Sequence, residues 1–402
     1  MKILISSQYF WPETFRINDL AEELQKKGHE VTVLTGKPNY PQGRFYKGYS
    51  FFKHNKDNYK GISVLRVPLF PRFNGKGLYL VLNYVSFVFF SCIYILFHRK
   101  KYDVSLTFAT SPITQAYPAL LHKKIYKSKA YLWVQDLWPE SVVAAGKIKS
   151  NVLLEILNKI VKDIYKKSNK VLVQSKAFIP AILEKGIKKE NIIYLPNWAE
   201  DLFTLNIVNN NDDQIEIPND FVVMFAGNIG ESQDFESIIN AAELTKKYIN
   251  IKWVIVGDGR KKTWLENEIK KRQLDNSIIL LGKHPVERMP YFFQKADVML
   301  LSLKNEEIFS KTIPSKLQSY MAFGKPVVAM INGIGKKIID DSGCGFTTNA
   351  GNYVGLAENI IKAYNTPHEI LEKMGSKVKL YYHKEFEKKI IIDRLIKIFE
   401  QI

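Results

Sequence analysis

The sequence has little sulfur chemistry to offer. Its 402 residues include two cysteines, Cys92 and Cys344, far apart and in no C-x-x-C arrangement. That spacing excludes a disulfide framework and a structural zinc site, and it fits a reducing, cytoplasmic setting. There is no H-E-x-x-H, no D-x-D and no cluster of His and Cys, so no metal centre and no metal cofactor are expected. G-x-S-x-G is missing, and no Ser-His-Asp set is revealed by spacing, so a hydrolytic nucleophile is unsupported. Walker A is missing too. The first ten residues pass from one Lys straight into an apolar run without a small-residue cleavage site, so no secretory signal is expected.

Acidic residues are scarce in one half only. The net charge is +18, and residues 1–198 hold 31 Lys and Arg against 13 Asp and Glu, whereas residues 199–402 hold 27 of each. An equal-length half with zero net charge argues against mere lysine-rich composition, so the first half is expected to face something negative. Nucleic acid and an anionic membrane surface are the candidates. Hydrophobic content of 46% and charged content of 24% are those of a globular chain, and the length suffices for two domains.

Along the chain, a buried strand (1–7), a loop (8–16), a helix (17–27) and a second strand (28–36) make a βαβ opening. In the loop, Trp11-Pro12-Glu13-Thr14-Phe15-Arg16 stands where a dinucleotide fingerprint would need glycines. Strands follow near 101–108, 130–135, 170–175 and 192–195, and an amphipathic, lysine-rich helix is expected over 152–167. Residues 199–219, with Asn209-Asn210-Asn211-Asp212-Asp213, carry no period and read as a linker. A second α/β series restarts at 221–225 and alternates through strands at 253–256, 278–281, 298–303 and 327–331. Residues 352–364 and 370–399 are mainly helical.

Residues 78–97 are uncharged and of the length that crosses a bilayer, with His98-Arg99-Lys100-Lys101 immediately after. The α/β units on both sides argue against a crossing, because the halves of one sheet would lie on opposite faces of the membrane. Asn83, Ser86 and Ser91 are expected to break its apolar surface. The favoured reading is a helix on the sheet whose greasy face dips into the lipid interface, with a buried helix and a true span as alternatives.

One stretch, 308–330, organises the second series. Pro314 stops what precedes it, Ser315 is expected to cap a short helix over 316–322 that Gly324 closes, and Pro326 opens a buried strand. The N–H groups of Ser315, Lys316 and Leu317 with the Lys316 ammonium would converge on an anion, which suits phosphate. Other strand-end loops offer Gly227-Asn228-Ile229-Gly230 with Gln233, and Gly257-Asp258-Gly259-Arg260-Lys261-Lys262, read as a turn with a weaker claim on phosphate.

In chain order, Y-F-W-P-E, G-H-E-V-T-V-L-T-G-K-P-N-Y-P, D-L-W-P-E-S, L-P-N-W, A-G-N-I-G and I-P-S-K-L-Q-S-Y-M-A-F-G-K-P-V-V-A together resemble family 4 glycosyltransferases of the GT-B fold. Within them the chain is most similar to the bacterial fucosamine-type transferases of O-antigen and capsule assembly. The likeness covers nearly the whole chain. It implies an α/β fold of two Rossmann-like domains facing a cleft: an acceptor- and membrane-facing domain over 1–198, a nucleotide-sugar domain over 199–375, and a C-terminal helix over 376–402 packing back on the first.

By the same resemblance, Asp136, Lys316 and Glu13 are the candidate catalytic residues. The candidate donor-binding residues are Arg16, Asn18, Asn197, Gly227, Asn228, Gln233, Gly257, Arg260, His284, Ser315, Lys316, Gln318 and Ser319. Asp136 is equally explained as a cap on the turn at Leu137-Trp138-Pro139. Much of the family carries two glutamates eight positions apart, and here those places hold Lys311 and Ser319. The ribose is therefore left to Gln318, Ser319 or the displaced Glu307.

The activity implied is retaining, metal-independent transfer of a sugar, N-acetyl-L-fucosamine or a related N-acetylated deoxysugar, from UDP to a polyprenyl-diphosphate-linked saccharide. Expected partners are the UDP-sugar, the lipid-linked acceptor and an anionic membrane met by the basic half and residues 77–101, with no nucleic acid. The expected location is the inner face of the plasma membrane, peripheral or monotopic. A nucleotide-sugar epimerase on the same fold, and a non-enzymatic membrane- or nucleic-acid-binding protein, remain the alternatives.

Overall fold

A computed structural model describes residues 1–73, 75, 77–144, 150–205 and 215–401. The chain forms two compact units, one of Met1–Leu195 with the chain from Ile392 onward, the other of Pro196–Ile391. The C-terminal stretch set apart at 376–402 is two helices, His368–Glu385 and Lys388–Glu400, and the change of unit falls inside the second. The linker residues 209–213 lie outside the described residues. Just before them, Asp201–Thr204 is one short helical turn.

The first unit holds eight strands: β1 (Lys2–Ser6), β2 (Glu30–Gly36), β3 (Lys56–Tyr59), β4 (Ile62–Val67), β5 (Val104–Ala109), β6 (Lys129–Val134), β7 (Lys170–Val173) and β8 (Ile192–Tyr194). Their order is β3-β4-β2-β1-β5-β6-β7-β8. All neighbours are parallel except the edge pair β3 and β4. That hairpin carries no strong sequence signal: Lys56–Tyr59 is a polar edge strand, and alternation is visible only in its partner. The last helix is fastened to this unit by Arg394 Nη2 donating to the Tyr194 carbonyl (2.7 Å) and by Tyr131 Oη donating to the Ile398 carbonyl (3.1 Å).

The second unit holds β9 (Phe221–Ala226), β10 (Ile251–Val256), β11 (Ile278–Gly282), β12 (Val298–Ser302), β13 (Val327–Met330) and β14 (Gly345–Thr348), in the order β11-β10-β9-β12-β13-β14, all parallel. Helices cover both faces, so the strands read as continuous apolar runs such as Phe-Val-Val-Met-Phe-Ala in β9. Val223, Phe225, Ile255 and Leu300 join Ile238, Leu356 and Ile360 in the core on one face. In each sheet the chain reverses direction of growth once, between β1 and β5 in the first and between β9 and β12 in the second. Ligands of open α/β sheets bind at the carboxyl ends of strands at such points.

The helix Gly77–Phe97 packs Phe87 and Ile95 onto the first sheet, against Leu4, Leu34 and Leu65, and buries Leu80 as well. Its three polar residues face inward, which corrects the expectation that they break its outer surface. For Asn83 and Ser86 the reason is hydrogen bonding with the Phe70 backbone and with Gln8, whereas Ser91 Oγ is buried with no hydrogen-bond partner among the described residues. Asn83 Nδ2 donates to the Phe70 carbonyl (2.6 Å), Asn83 Oδ1 accepts from Gln8 Nε2 (2.7 Å), and Ser86 Oγ accepts from the Phe70 N–H (3.0 Å). What remains outward is apolar: Leu78, Val81, Val85, Phe89, Leu96 and Phe97 are exposed. Only 33% of its most apolar window is buried, which rules out an ordinary core helix.

Candidate functional site

At the end of β9, Gly227 turns the chain with φ +139°, a conformation that side chains rarely adopt. A Cβ here would sit 2.4 Å from Cε and 2.9 Å from Nζ of Lys316, so only glycine leaves room for that lysine. At the end of β10, Gly257 (φ +157°) lies so close to β9 that a Cβ would fall 1.8 Å from the Gly227 carbonyl oxygen. The two strand-end loops are zipped together. Ile229 N–H donates to the Asp258 carbonyl (2.8 Å), and Lys261 N–H donates to the Ile229 carbonyl (3.0 Å). Neither glycine tolerates replacement without moving backbone or Lys316, which explains the Gly-Asn-Ile-Gly and Gly-Asp-Gly spelling.

The third part is the helix Ser315–Phe323. Its N-cap is Pro314, and Ser315 is already the first helical residue, exposed at the helix opening; this corrects the assignment of Ser315 as cap. Pro314 can hold the extended backbone of the cap position without needing an N–H there. Leu317 N–H is taken by the Pro314 carbonyl (3.0 Å), so the donors left for an anion at this end are those of Ser315 and Lys316. Tyr320 pins the helix to β9: its hydroxyl lies 3.3 Å from both the N–H and the carbonyl oxygen of Ala226.

Lys316 is the unusual member. Its stem folds over Gly227, and Nζ lies 3.8 Å from the centroid of the Phe225 ring. Nζ is buried and has no hydrogen-bond partner among the described residues. Burial lowers its pKa to about 7. A buried amine held by a ring face is chemically suited to an anion, since buried charges are otherwise paired. Gln233 Oε1 is also buried without a hydrogen-bond partner among the described residues, just before the next helix and 3.1 Å from where a Cβ on Gly230 would sit. Asn228 fits between Gly230 and Gly259; a Cβ on either would strike its side-chain amide.

Other sequence candidates fall around this centre with different duties. Gln318 is buried and its Nε2 donates to the Asn197 carbonyl (2.6 Å), tying the helix to the start of the unit. Ser319 Oγ turns back to the Ser315 carbonyl (3.3 Å), and Glu307 is exposed and pairs with Lys311 (2.6 Å). None of the three is presented as an open ribose ligand in this arrangement. His284, beyond β11, hydrogen-bonds through Nε2 to the Leu281 carbonyl (2.9 Å), which leaves Nδ1 as acceptor for Arg288 Nη1 (3.5 Å). In the cationic run, Lys261 is paired with Glu231 (3.0 Å), while Arg260 is exposed and has no carboxylate partner among the described residues.

The first-unit candidates lie at the carboxyl ends of its strands. Glu13 is buried, and its Oε1 accepts from the N–H groups of Asn39 (2.8 Å) and Tyr40 (2.7 Å). Burial raises its pKa to about 7 in spite of those bonds. Asn18 ties the same loop: its Oδ1 accepts from Trp11 N–H (3.0 Å) and its Nδ2 donates to the Glu13 carbonyl (2.8 Å). Arg16 opens the first helix, Arg16–Lys26. Asp136 follows β6, and its Oδ2 accepts from Ser111 Oγ (3.1 Å), which itself accepts from Trp138 Nε1 (3.0 Å). That network serves a turn and a site equally well.

Sequence reasoning missed Phe225, the ring beneath Lys316, because an apolar residue inside a strand gives no sign of which face it turns to a cation. It also missed Arg66, buried in β4, whose Nη2 donates to the Trp11 carbonyl (2.5 Å) and whose Nε pairs with Asp57. An arginine within an apolar strand is the signal that was available.

Known proteins match the chain over both units. The family description "Glycosyltransferase Family 4" matches residues 15–200, and "Glycosyl transferases group 1" matches residues 208–381. WcaI of Escherichia coli (strain K12), named as a colanic acid biosynthesis glycosyl transferase, is 26% identical over 337 residues, 81% of this chain and 82% of its own. WbjE of Pseudomonas aeruginosa, named as a glycosyltransferase, is 27% identical over 272 residues, 65% of this chain and 66% of its own. Among solved structures, Anabaena HepE in complex with UDP and glucose superposes with a TM-score of 0.69 over 100% of both chains at 16% identity. The two halves of the chain are thus a family 4 and a group 1 glycosyltransferase domain, and the protein is a glycosyltransferase on the GT-B fold.

Proposed function

We propose that the enzyme moves a sugar from a UDP-sugar to a polyprenyl-diphosphate-linked saccharide in the assembly of a bacterial surface polysaccharide. N-acetyl-L-fucosamine, or a related N-acetylated deoxysugar, is the sugar we favour, on the resemblance of the Pro314-Ser315-Lys316 segment to the fucosamine-type branch. The colanic acid biosynthesis in the name of the relative WcaI supports a polysaccharide product, and the UDP in the HepE complex supports the donor class. The single observation that carries the reading is the Lys316 ammonium, buried over Phe225 with no hydrogen-bond partner among the described residues.

In the reaction proposed, the acceptor oxygen bonds to the anomeric carbon as the bond from that carbon to the β-phosphate oxygen breaks. UDP departs with the electron pair, and the acceptor's proton passes to the leaving phosphate. Lys316 and the N–H groups opening its helix would stabilise the charge that grows on the diphosphate, typically the largest catalytic contribution available. In this proposal the transfer is retaining and needs no metal.

The acceptor's lipid would be met at an anionic membrane. The outward face of the helix Gly77–Phe97 is apolar, and the half of the chain that carries it holds the whole excess of basic charge. The helix then lies in the interface and does not span.

A thermal-shift panel of UDP, GDP, dTDP and UDP-N-acetyl-L-fucosamine tests the donor; UDP and its sugar should stabilise, and no response to any uridine nucleotide overturns it. Co-sedimentation with phosphatidylglycerol vesicles at low salt tests the membrane. Phe89→Asp should release the protein, and a wild type that stays in the supernatant sinks that part.

A further inference from the structure

Between β4 and the apolar helix the chain reads Phe70-Pro71-Arg72-Phe73. Both phenylalanines are about half exposed, at 47% and 48%. They continue the outward apolar face of the helix. Phe73 packs on Tyr79 (4.9 Å between ring centroids), and Phe51 touches both Phe70 (5.4 Å) and Phe90 (5.6 Å). An arginine between two exposed aromatic rings at the edge of a greasy surface is placed where a charged head joins an apolar tail.

The guanidinium is held ready. It lies over the Tyr40 ring (5.0 Å), and Nη1 donates to Tyr9 Oη (3.4 Å). Gly75, at φ +67°, passes beneath it; a Cβ there would come within 3.3 Å of Nε and Nη2. Among the described residues no carboxylate pairs with it. Tyr9 and Tyr84 stand together near the guanidinium; burial above all, and more weakly the nearby Asp136 carboxylate, raises the Tyr84 pKa. Apolar rings, a planar cation, a hydroxyl pair and a carboxylate are thus neighbours within the first unit.

Resting on the acceptor class proposed above, we propose that Arg72 is the diphosphate-binding residue of the acceptor site, gripping the group that joins the isoprenoid to the sugar. The first isoprene units would lie on Phe70 and Phe73, and the first sugar would lie past Tyr9 and Tyr84 toward Asp136. A planar fork suits this task because it can hold two oxygens of a diphosphate at once, which a lysine ammonium cannot do with fixed geometry. Nothing of the donor site is involved, since every residue named belongs to the unit that lacks Lys316.

The test uses the full chain, wild type and Arg72→Gln, titrated with farnesyl diphosphate, farnesol and inorganic diphosphate by isothermal calorimetry. Wild type should bind farnesyl diphosphate more tightly than either fragment, and Arg72→Gln should weaken that binding at least tenfold while leaving farnesol unchanged. Arg72→Lys should fall between the two, and it replaces the glutamine variant if that one does not fold. Sedimentation with phosphatidylglycerol vesicles and the UDP thermal shift should be equal in wild type and variant. Equal affinity of both proteins for farnesyl diphosphate, or a tenfold loss that appears on phosphatidylglycerol too, overturns the proposal, the second by showing that Arg72 reads bulk lipid head groups. A wild type that binds farnesyl diphosphate but shows no response to UDP would overturn the donor reading and leave the Arg72 site standing.

Discussion

Lys37 in the first unit and Lys316 in the second both withdraw an amine from water, yet their surroundings are opposites. Lys37 Nζ has three oxygens: the carbonyls of Lys53 (2.5 Å) and His54 (2.8 Å) and Asn55 Oδ1 (2.7 Å). Lys316 Nζ has the face of Phe225 and, among the described residues, no hydrogen-bond partner. Burial pulls both pKa values down, to about 8 for Lys37, where the nearby Arg66 adds to the effect, and to about 7 for Lys316. Satisfied donors mark a residue that shapes a loop. Unsatisfied ones mark a residue that waits for something, because leaving a buried donor unmet costs about 1–3 kcal/mol.

The contrast breaks most directly at Lys316→Ala. UDP should no longer raise the melting temperature, and transfer should fall by roughly 10²–10³, the usual cost of one charge-stabilising donor. Stability should hold or rise slightly, because an unpaired buried amine leaves. Lys37→Met should do the reverse, lowering stability by about 2–3 kcal/mol in urea titration as three acceptors lose their donor, while the folded fraction still binds UDP. Loss of UDP binding on Lys37→Met would erase the distinction.

Gly227→Ala comes next. The added methyl meets Lys316 at 2.4 Å and stands at an unfavourable φ, so a cost of about 1–2 kcal/mol is expected, with UDP affinity reduced but not abolished. Equal affinity in this variant would show that the perch of Lys316 over Phe225 is irrelevant to the donor.

pH gives the finest test. A lysine whose folded pKa is lowered binds fewer protons folded than unfolded, so its burial penalises folding fully below the folded value. The penalty fades as pH rises from about 7 for Lys316, or about 8 for Lys37, toward the ordinary 10.5. A bound diphosphate needs the ammonium, so UDP binding should take up a proton above about pH 7. Its affinity should then fall by up to about tenfold per pH unit. Calorimetry in buffers of different ionisation enthalpy measures that uptake, and Lys316→Ala should remove it.

Much of the fold was legible in the sequence for a physical reason. Buried parallel strands are continuous apolar runs, so β1, β5, β9, β12 and β13 announce themselves, and the glycines at 227 and 257 mark close passes of backbone that no other residue permits. The hairpin β3–β4, the helix Gly333–Ser342 and the edge strand β14 were not legible, since polar edges and short mixed segments carry little periodic signal. Of the site, Lys316 and the two glycine loops could be named in advance. The inward turn of Gln318 and Ser319 could not, because hydrogen bonds to Asn197 and Ser315 compete with any ligand and leave no trace in spacing.

The sequence by itself determined the alternation of strand and helix, the two sheets, the charge asymmetry and the presence of a basic residue at the opening of a short helix, all of which follow from local chemistry and composition. Only the tertiary structure decided which way side chains face. It turned Asn83, Ser86 and Ser91 into the protein and the aliphatic face of their helix outward, moved the cap from Ser315 to Pro314, and laid Lys316 on Phe225. Orientation depends on partners far away in the chain, such as Gln8 for Asn83 and Gly227 for Lys316, and distance along the chain hides them until the strands are side by side.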